Sequence, residues 1–152
     1  MKLIRIENAG DDRGSSFSLG GLVGEWIQHP ADCHAADIEP GFVRGNHYHT
    51  KRREVIVVRY DSGWSLFWDE GAGTKVRSTT VCGSGVVVIH VIPDCSHAIA
   101  NTGENRIFAI AISDRTYDGA SDETRRRVIV STDQSGQLTS TRRSQVSSRN
   151  ST

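Results

Sequence analysis

The sequence predicts an all-β domain, built as a sandwich or a barrel, and three observations support this. Glycines recur at short intervals from Gly10 to Gly103 and separate short runs with strand character. Many short strands with regular turn signals are typical of sandwiches and barrels. The stretch GWSLFWDEG alternates around Trp64, Leu66 and Trp68, as a half-buried strand does. Helical periodicity is weak throughout, and the best candidate for a helix is the segment GASDETRR at residues 119–126.

Each predicted strand is a short run bounded by turn residues. The apolar run GVVVIHVIP is nearly continuous, and we expect it to be the most deeply buried strand. In chain order the predicted strands are Lys2–Glu7, Leu22–Gln28, Cys33–Ile38, Glu54–Tyr60, Gly63–Trp68, Lys75–Val81, Val86–Val91, His97–Asn101, Arg106–Ser113 and Arg127–Val130.

The chain is long enough for one domain with a real core. It has 152 residues, and domains usually have about 100–200. Half of the residues from 131 to 152 are Ser or Thr, and the only larger apolar side chains there are Leu138 and Val146. Such a segment cannot bury enough surface to offset its ordering entropy. We therefore predict a domain at residues 1–130 and a disordered Ser/Thr-rich tail at residues 131–152.

Composition argues against several functional classes. The formal net charge is zero and the pI is about 7.0, so no overall basic field favours nucleic acid or an anionic membrane. The three cysteines form no CxxC pair, which argues against a disulfide framework or a thiolate zinc site. The N-terminus is too polar for a signal peptide, and no apolar run could span a bilayer. We therefore expect a cytoplasmic protein.

The segment RGNHYHTKRREVIVV contains the most informative residues. His47 and His49 are two positions apart and would face the same side of a strand, and Glu54 follows five residues later. In a small barrel, His97 of IPDCSHAIAN could join them. Three imidazoles and a carboxylate bind zinc, iron, manganese or nickel. An acid–base site or a merely polar sheet face would also fit His47 and His49.

Three further histidines, His29, His34 and His90, lie outside this pattern. His90 belongs to the apolar run GVVVIHVIP, and we interpret it as a core or pocket residue rather than a ligand.

Both segments resemble the motifs of the cupin superfamily. Gly41, His47, His49 and Glu54 match the first motif, G-x5-HxH-x4-E. Pro93, His97 and Asn101 match the second motif, although Asp94–Cys95–Ser96 stands where a glycine usually follows the proline. The resemblance implies a single cupin barrel, a double-stranded β-helix or jelly roll. It also implies that His47, His49, Glu54 and His97 bind a divalent metal.

A closer resemblance covers about residues 11–130. EPGFVRGNHYHTK is similar to the signature of the C-terminal cupin domain in capsular polysaccharide NAD-dependent epimerase proteins. DDRGSSFSL and AISDRTYDGASDE also resemble segments of dTDP-4-dehydrorhamnose 3,5-epimerases. These families imply a zinc-dependent epimerase acting beside the keto group of a nucleotide-linked 4-keto sugar. The chain has no GxGxxG motif, so a dehydrogenase partner activity would lie on another chain.

The resemblance also implies roles for individual residues. In the rhamnose-type enzymes the residue that matches His47 is the catalytic base, so His47 could be base or ligand; we favour ligand because His49 and Glu54 are present. Tyr117 matches the family's acid. Tyr48 would point away from His47 and His49 on a regular strand and serve in packing or at an interface.

Two arginines are candidates for contacting the diphosphate of a nucleotide sugar. Arg44 resembles the family's phosphate-contacting arginine. Arg13 is a second candidate, although it could instead stabilise a turn with Asp11 or Asp12. The basic run Lys51–Arg53 is interpreted mostly as a solvated loop. A homodimer is expected because the resembling cupins pair through their N-terminal strands.

Three alternative functions stay open on the sequence alone. One is an iron-dependent cupin dioxygenase, because the same ligands bind Fe(II). Another is a non-catalytic sugar-binding or regulatory cupin. The third is a sugar-nucleotide ketoisomerase, which shares the fold.

Overall fold

The computed structural model describes residues 1–116 and 123–139 and contains, within these ranges, ten strands and one short helix. No helix in the described residues is long and apolar enough to cross a membrane. The helix α1 (Gly20–Gly24) lies between the first two strands. The strands are β1 (Lys2–Ile6), β2 (Asp32–Ile38), β3 (Val43–His49), β4 (Glu54–Tyr60), β5 (Trp64–Trp68), β6 (Arg77–Val81), β7 (Gly85–Val91), β8 (His97–Ala100), β9 (Ile107–Ser113) and β10 (Thr124–Arg126).

The strands form two antiparallel sheets of five strands each. The first sheet has the order β1-β7-β4-β9-β2, and the second has the order β10-β3-β8-β5-β6. The apolar core contains Val58 and Ile89 of the first sheet with Trp64 and Leu66 of the second, each at most 1% exposed. Burying a side chain of this size contributes roughly 1.5–3 kcal/mol. The predicted all-β jelly roll is confirmed.

The segment predicted as a strand at Leu22–Gln28 is instead helical at its start, where α1 ends at Gly24. Ile27 is 2% exposed and packs with Val55 and Val88, which form a second core on the outer face of the first sheet. Trp26 stacks on His90 at 4.6 Å between ring centroids, which places His90 in packing as predicted. A short apolar run is compatible with a helix or a strand, so periodicity alone could not separate the two.

Other differences arise where distant parts of the chain pair. β3 lies between two predicted strands, in a stretch where glycine and asparagine hide the strand pattern. Part of the predicted helix at residues 119–126 is strand β10, and residues 119–122 lie outside the described ranges. The predicted strand Arg127–Val130 is absent. The side-chain oxygen of Asn46 accepts hydrogen bonds from the backbone of Ile129 and Val130 there.

The described domain continues past the predicted boundary at residue 130. The amide of Val43 donates to the carbonyl of Gly136 at 3.0 Å. The amide of Leu138 donates to the carbonyl of Gly41 at 2.8 Å. Asp133 closes the intervening turn by accepting from the amide of Gln137. Backbone pairing and a turn therefore hold residues 131–139, which composition assigned to the tail. Residues 140–152 lie outside the described ranges.

Candidate metal centre and cavity

A β-bulge in β3 sets the direction of the histidines. Gly45 pairs with Ala98 and His47 pairs with His97, so Asn46 is an extra residue in the strand. Gly45 has φ +110°, and a Cβ there would lie 2.4 Å from the carbonyl oxygen of His97. Asn46 has φ +57°, a conformation that asparagine tolerates better than most residues. The sequence Arg44–Gly45–Asn46 before the first histidine therefore forms a β-bulge, which changes the direction of the side chains that follow.

The predicted ligands come together from three strands and both sheets. His47 and His49 lie on β3 and His97 lies on β8, and their candidate donor atoms are all within 4.8 Å of one another. Glu54 begins β4 in the other sheet. Its Oε2 is 3.6 Å from Nε2 of His49 and 3.5 Å from Nε2 of His97. We refer to these four residues as the histidine cluster.

Burial and mutual contacts shift the pKa values of His47, His97 and Glu54 in the cluster. Burial, with the neighbouring His97 and His49, lowers the pKa of His47 to about 3. Burial also lowers the pKa of His97. For Glu54 burial alone raises the pKa, but the facing imidazole of His49 and the other histidines outweigh it and lower the pKa to about 2. Near neutral pH His47 and His97 therefore offer neutral imidazole lone pairs beside the ionised carboxylate of Glu54.

These properties fit a divalent cation. Nε2 of His49 is buried and has no hydrogen-bond partner among the described residues. The carboxylate of Glu54 is 4% exposed and lies 3.5 Å from His97, whose pKa is lowered by burial so that its imidazole is neutral near neutral pH. A buried carboxylate without a compensating charge is costly, and a bound divalent ion would remove that cost. Three imidazoles and a carboxylate suit zinc, iron, manganese or nickel.

A second layer of contacts fixes His49. Its Nδ1 lies 3.1 Å from the hydroxyl of Thr124, on strand β10, so Nε2 is left to face Glu54. On the opposite face of β3, Arg127 stacks on the ring of Tyr48 at 4.0 Å and bonds Asp69 at 3.3 Å. Tyr48 points away from the cluster and serves in packing, as predicted. β10 was not predicted, so sequence reasoning missed Thr124.

The histidine cluster lines a cavity of about 590 Å³. Small-molecule sites usually measure roughly 300–1,000 Å³. Around the cluster the wall is mostly small or apolar, with Ala36, Ile99, Ala109 and Ala111 among its residues. The polar and charged residues that also line it are Asp32, His34, Arg44, Arg52, Thr116 and Thr124.

Of the two arginines predicted to bind substrate, one lines the cavity and one does not. Arg44 lines the cavity, and its Nε donates to the carbonyl of Asp37 at 2.8 Å. Arg13 is exposed and forms a 2.6 Å ion pair with Asp11, outside the residues that line this cavity. Arg13 thus makes the turn contact that was the alternative interpretation. Tyr117 lies outside the described residues.

Arg52 is a cavity residue that the sequence did not reveal. It was predicted to lie in a solvated loop with Lys51 and Arg53. It is instead 3% exposed, lines the cavity and donates to the carbonyl of Thr116 at 3.5 Å. Arg52 is two residues before Glu54, so the two side chains would share a face if the chain is extended, with Lys51 and Arg53 on the other face. Only this spacing could have indicated that Arg52 is buried.

The structure has a cupin fold with a candidate three-histidine, one-carboxylate centre. Residues 10–125 match the polysaccharide biosynthesis C-terminal domain family, and the chain belongs to that family. No curated protein sequence matches the chain.

Three solved structures illustrate the similarity in fold. The capsular polysaccharide assembling protein CapF of Staphylococcus aureus is 18% identical with a TM-score of 0.59, over 82% of this chain and 33% of that chain. The chain therefore spans about a third of the length of CapF. A dTDP sugar isomerase of Desulfovibrio desulfuricans G20 is 12% identical with a TM-score of 0.67, over 91% of this chain and 88% of that chain.

The third structure was solved with a sugar nucleotide. It is a histidine-to-asparagine mutant of the 3,4-ketoisomerase QdtA of Thermoanaerobacterium thermosaccharolyticum in complex with TDP-4-keto-6-deoxyglucose. It is 13% identical with a TM-score of 0.61, over 83% of this chain and 86% of that chain. At such identities the likeness establishes the shared fold.

Proposed function

We propose that the chain is an isomerase, a metal-dependent epimerase that acts on a nucleotide-linked 4-keto sugar in polysaccharide or glycoconjugate biosynthesis. The observation that carries the proposal is the convergence of His47, His49, His97 and Glu54 in the wall of a cavity about 590 Å³ in volume. Membership of a polysaccharide biosynthesis family supports the pathway class. The names of the similar structures support the substrate class.

Epimerisation beside a ketone removes a proton from carbon and returns one to the opposite face. It needs a base, an acid and a group that stabilises the enolate oxygen. A divalent ion held by the histidine cluster, most simply zinc, would supply Lewis-acid stabilisation of that oxygen. The pKa of His47, lowered to about 3, keeps its imidazole neutral as a ligand requires. A group with so low a pKa is also a weak proton acceptor, which supports His47 as ligand rather than base.

The remaining roles fall to residues outside the cluster. Arg44 lines the cavity and is the proposed contact for the diphosphate, since a guanidinium group matches phosphate oxygens in bidentate geometry. Tyr117 is the proposed acid, on the family resemblance alone. The apolar wall formed by Ile99 and the cavity alanines would limit access of water to the reacting carbon.

Proton exchange in heavy water tests this function. The purified protein, with its metal identified by elemental analysis, is incubated with UDP- and dTDP-linked 4-keto-6-deoxy sugars in D2O, and the sugar protons are followed by NMR. We expect deuterium to enter at C3 or C5, next to the ketone. If metal-loaded protein exchanges no proton of any such sugar, the proposal is wrong. Oxygen consumption by iron-loaded protein would then favour a dioxygenase.

A further inference from the structure

The inner face of β2 brings an unassigned imidazole into the cavity. Alternate residues of this strand line the cavity, namely Asp32, His34, Ala36 and Ile38. Cys33 and Asp37 lie between them and are exposed. His34 itself is exposed, which is compatible with a position in the open part of the cavity. Among the described residues that line the cavity, His34 carries the one imidazole outside the histidine cluster.

Strand pairing places His34 across the cavity wall from the cluster. Asp32 pairs with Ser113 and Ser113 pairs with Glu54, so these residues share one row across the first sheet. His34, Ala111 and Ile56 form the next row on the same face. Strands lie about 4.8 Å apart and rise about 3.4 Å per residue. The backbone of His34 is therefore about 10 Å across the sheet and about 7 Å along it from that of Glu54.

The space between His34 and the cluster is lined by short side chains. Ala111 stands between His34 and Ile56, and Ala109 stands in the following row opposite Ala36. No long side chain on these β9 positions fills the gap. A sugar ring lying on them would have the metal ligands on one side and the His34 imidazole on the other.

The proposed chemistry requires a base that is not a metal ligand. An imidazole can accept and release a proton near neutral pH, which a guanidinium group cannot do. Arg44 and Arg52 are therefore unsuited to this role, although both line the cavity. Asp32 is the other proton acceptor among the β2 residues that line the cavity, but it lies in the row of Glu54, one row away from the short side chain of Ala111.

We propose that His34 is the catalytic base, an assignment that rests on the function proposed above. Its neutral imidazole takes the proton from the carbon beside the sugar ketone. The C–H electron pair forms the carbon–carbon double bond of the enolate, and the carbonyl oxygen takes the negative charge. A proton from solvent adds to the opposite face of the same carbon and reforms the ketone, and the imidazolium of His34 loses its proton to solvent. No oxidant or reductant is needed.

The test compares exchange rates in D2O between wild type and His34→Gln, which keeps a polar side chain at an exposed site. His29→Gln, in an exposed loop, controls for loss of an imidazole, and Cys33→Ser controls for disturbance of β2. Metal content, thermal midpoint and affinity for the sugar nucleotide are measured for each protein. We expect His34→Gln to retain all three and to lose exchange by about 10²–10⁴-fold, while both controls match wild type.

The outcomes separate the two proposals. If wild type exchanges protons and the rate of His34→Gln is within about threefold of it, the assignment of His34 is overturned and the isomerase function stands. Absence of exchange in metal-loaded wild type would overturn both. A second substitution, His34→Asn, repeats the test with a shorter side chain, and it must lose exchange as well if the imidazole is the base.

Discussion

The imidazole Nδ1 of His49 lies 3.1 Å from the hydroxyl of Thr124, and this contact joins strand β10 to the histidine cluster. Thr124 is opposite His49 in the strand pairing, so the contact is set by the register of β10 on β3. An imidazole held through one nitrogen presents the other in a fixed direction, here toward Glu54. The segment after the last core strand therefore helps to shape the centre as well as covering an edge of the sheet.

Removing that hydroxyl should weaken metal binding. We expect Thr124→Val to reduce metal affinity by about 10–100-fold, the usual effect of losing a group that orients a ligand, with little change in fold. Competition with a chromophoric chelator measures the affinity. Thr79→Val on β6, which is outside the residues lining the cavity, is the matched control and should bind metal as wild type does. Equal affinities of the two variants would show that Thr124 does not orient His49.

Loss of His97 should empty the centre without unfolding the domain. His97 is buried at 3% exposure and faces Glu54, so His97→Ala removes a ligand and leaves a small cavity. We expect most of the bound metal to be lost, by elemental analysis after gel filtration, with the strand signal in circular dichroism retained. His29→Ala is the control for an exposed histidine. Unchanged metal content in His97→Ala would rule out the proposed ligand set.

The metal-free protein should lose stability as the pH falls. The pKa of His47 is lowered from 6.5 to about 3. Between these pH values the unfolded chain binds a proton that the folded chain does not. The free energy of unfolding therefore decreases as the pH is lowered. The pKa of Glu54, lowered from 4.5 to about 2, adds a further loss in its own window below 4.5.

Urea unfolding of chelator-treated protein at about pH 7.5 and about pH 5 measures this loss. The substitution His47→Gln removes one of the titrating groups and should reduce the pH dependence, with His97 as the remaining buried histidine whose pKa is lowered, whereas His29→Gln should leave it unchanged. The explanation fails if wild type and His47→Gln show the same change in urea midpoint between the two pH values.

The bulge at Gly45 should tolerate no side chain. A Cβ at Gly45 would lie 2.4 Å from the His97 carbonyl, in addition to the strain of φ +110°. Gly71 has a similar φ of +124° with nothing within 4 Å, so Gly71→Ala measures the strain alone. We expect Gly45→Ala to lower the free energy of unfolding by on the order of 2–4 kcal/mol and by clearly more than Gly71→Ala. Equal losses in urea unfolding would mean that the close approach to His97 is unimportant.

Tyr117→Phe tests the proposed acid. The hydroxyl is lost while the ring is kept, so we expect slower epimerisation with unchanged metal content. Turnover measured by NMR of the product, alongside elemental analysis, checks this. Tyr48→Phe is the control, because Tyr48 packs under Arg127 on the face away from the cluster. Full activity of Tyr117→Phe would dismiss it as the acid.

The convergence of the four residues of the histidine cluster could be predicted because it depends on local patterns. His47 and His49 share a face by strand alternation, and the spacings to Glu54 and His97 follow known motifs. Thr124 and β10 could not be predicted, because their pairing with β3 joins residues 75 positions apart. Arg52 was misjudged for the same reason. A basic run resembles a solvated loop, and its burial depends on a carbonyl 64 residues away.

The central claim is that the histidine cluster holds a metal that supports enolisation of a sugar ketone. The most direct measurement is deuterium exchange of a nucleotide-linked 4-keto-6-deoxy sugar by loaded, chelator-treated and reconstituted protein. The account predicts exchange at a carbon beside the ketone that disappears with the metal and returns when zinc is restored. Exchange that persists at the same rate in metal-free protein, or that is absent from loaded protein, would contradict it.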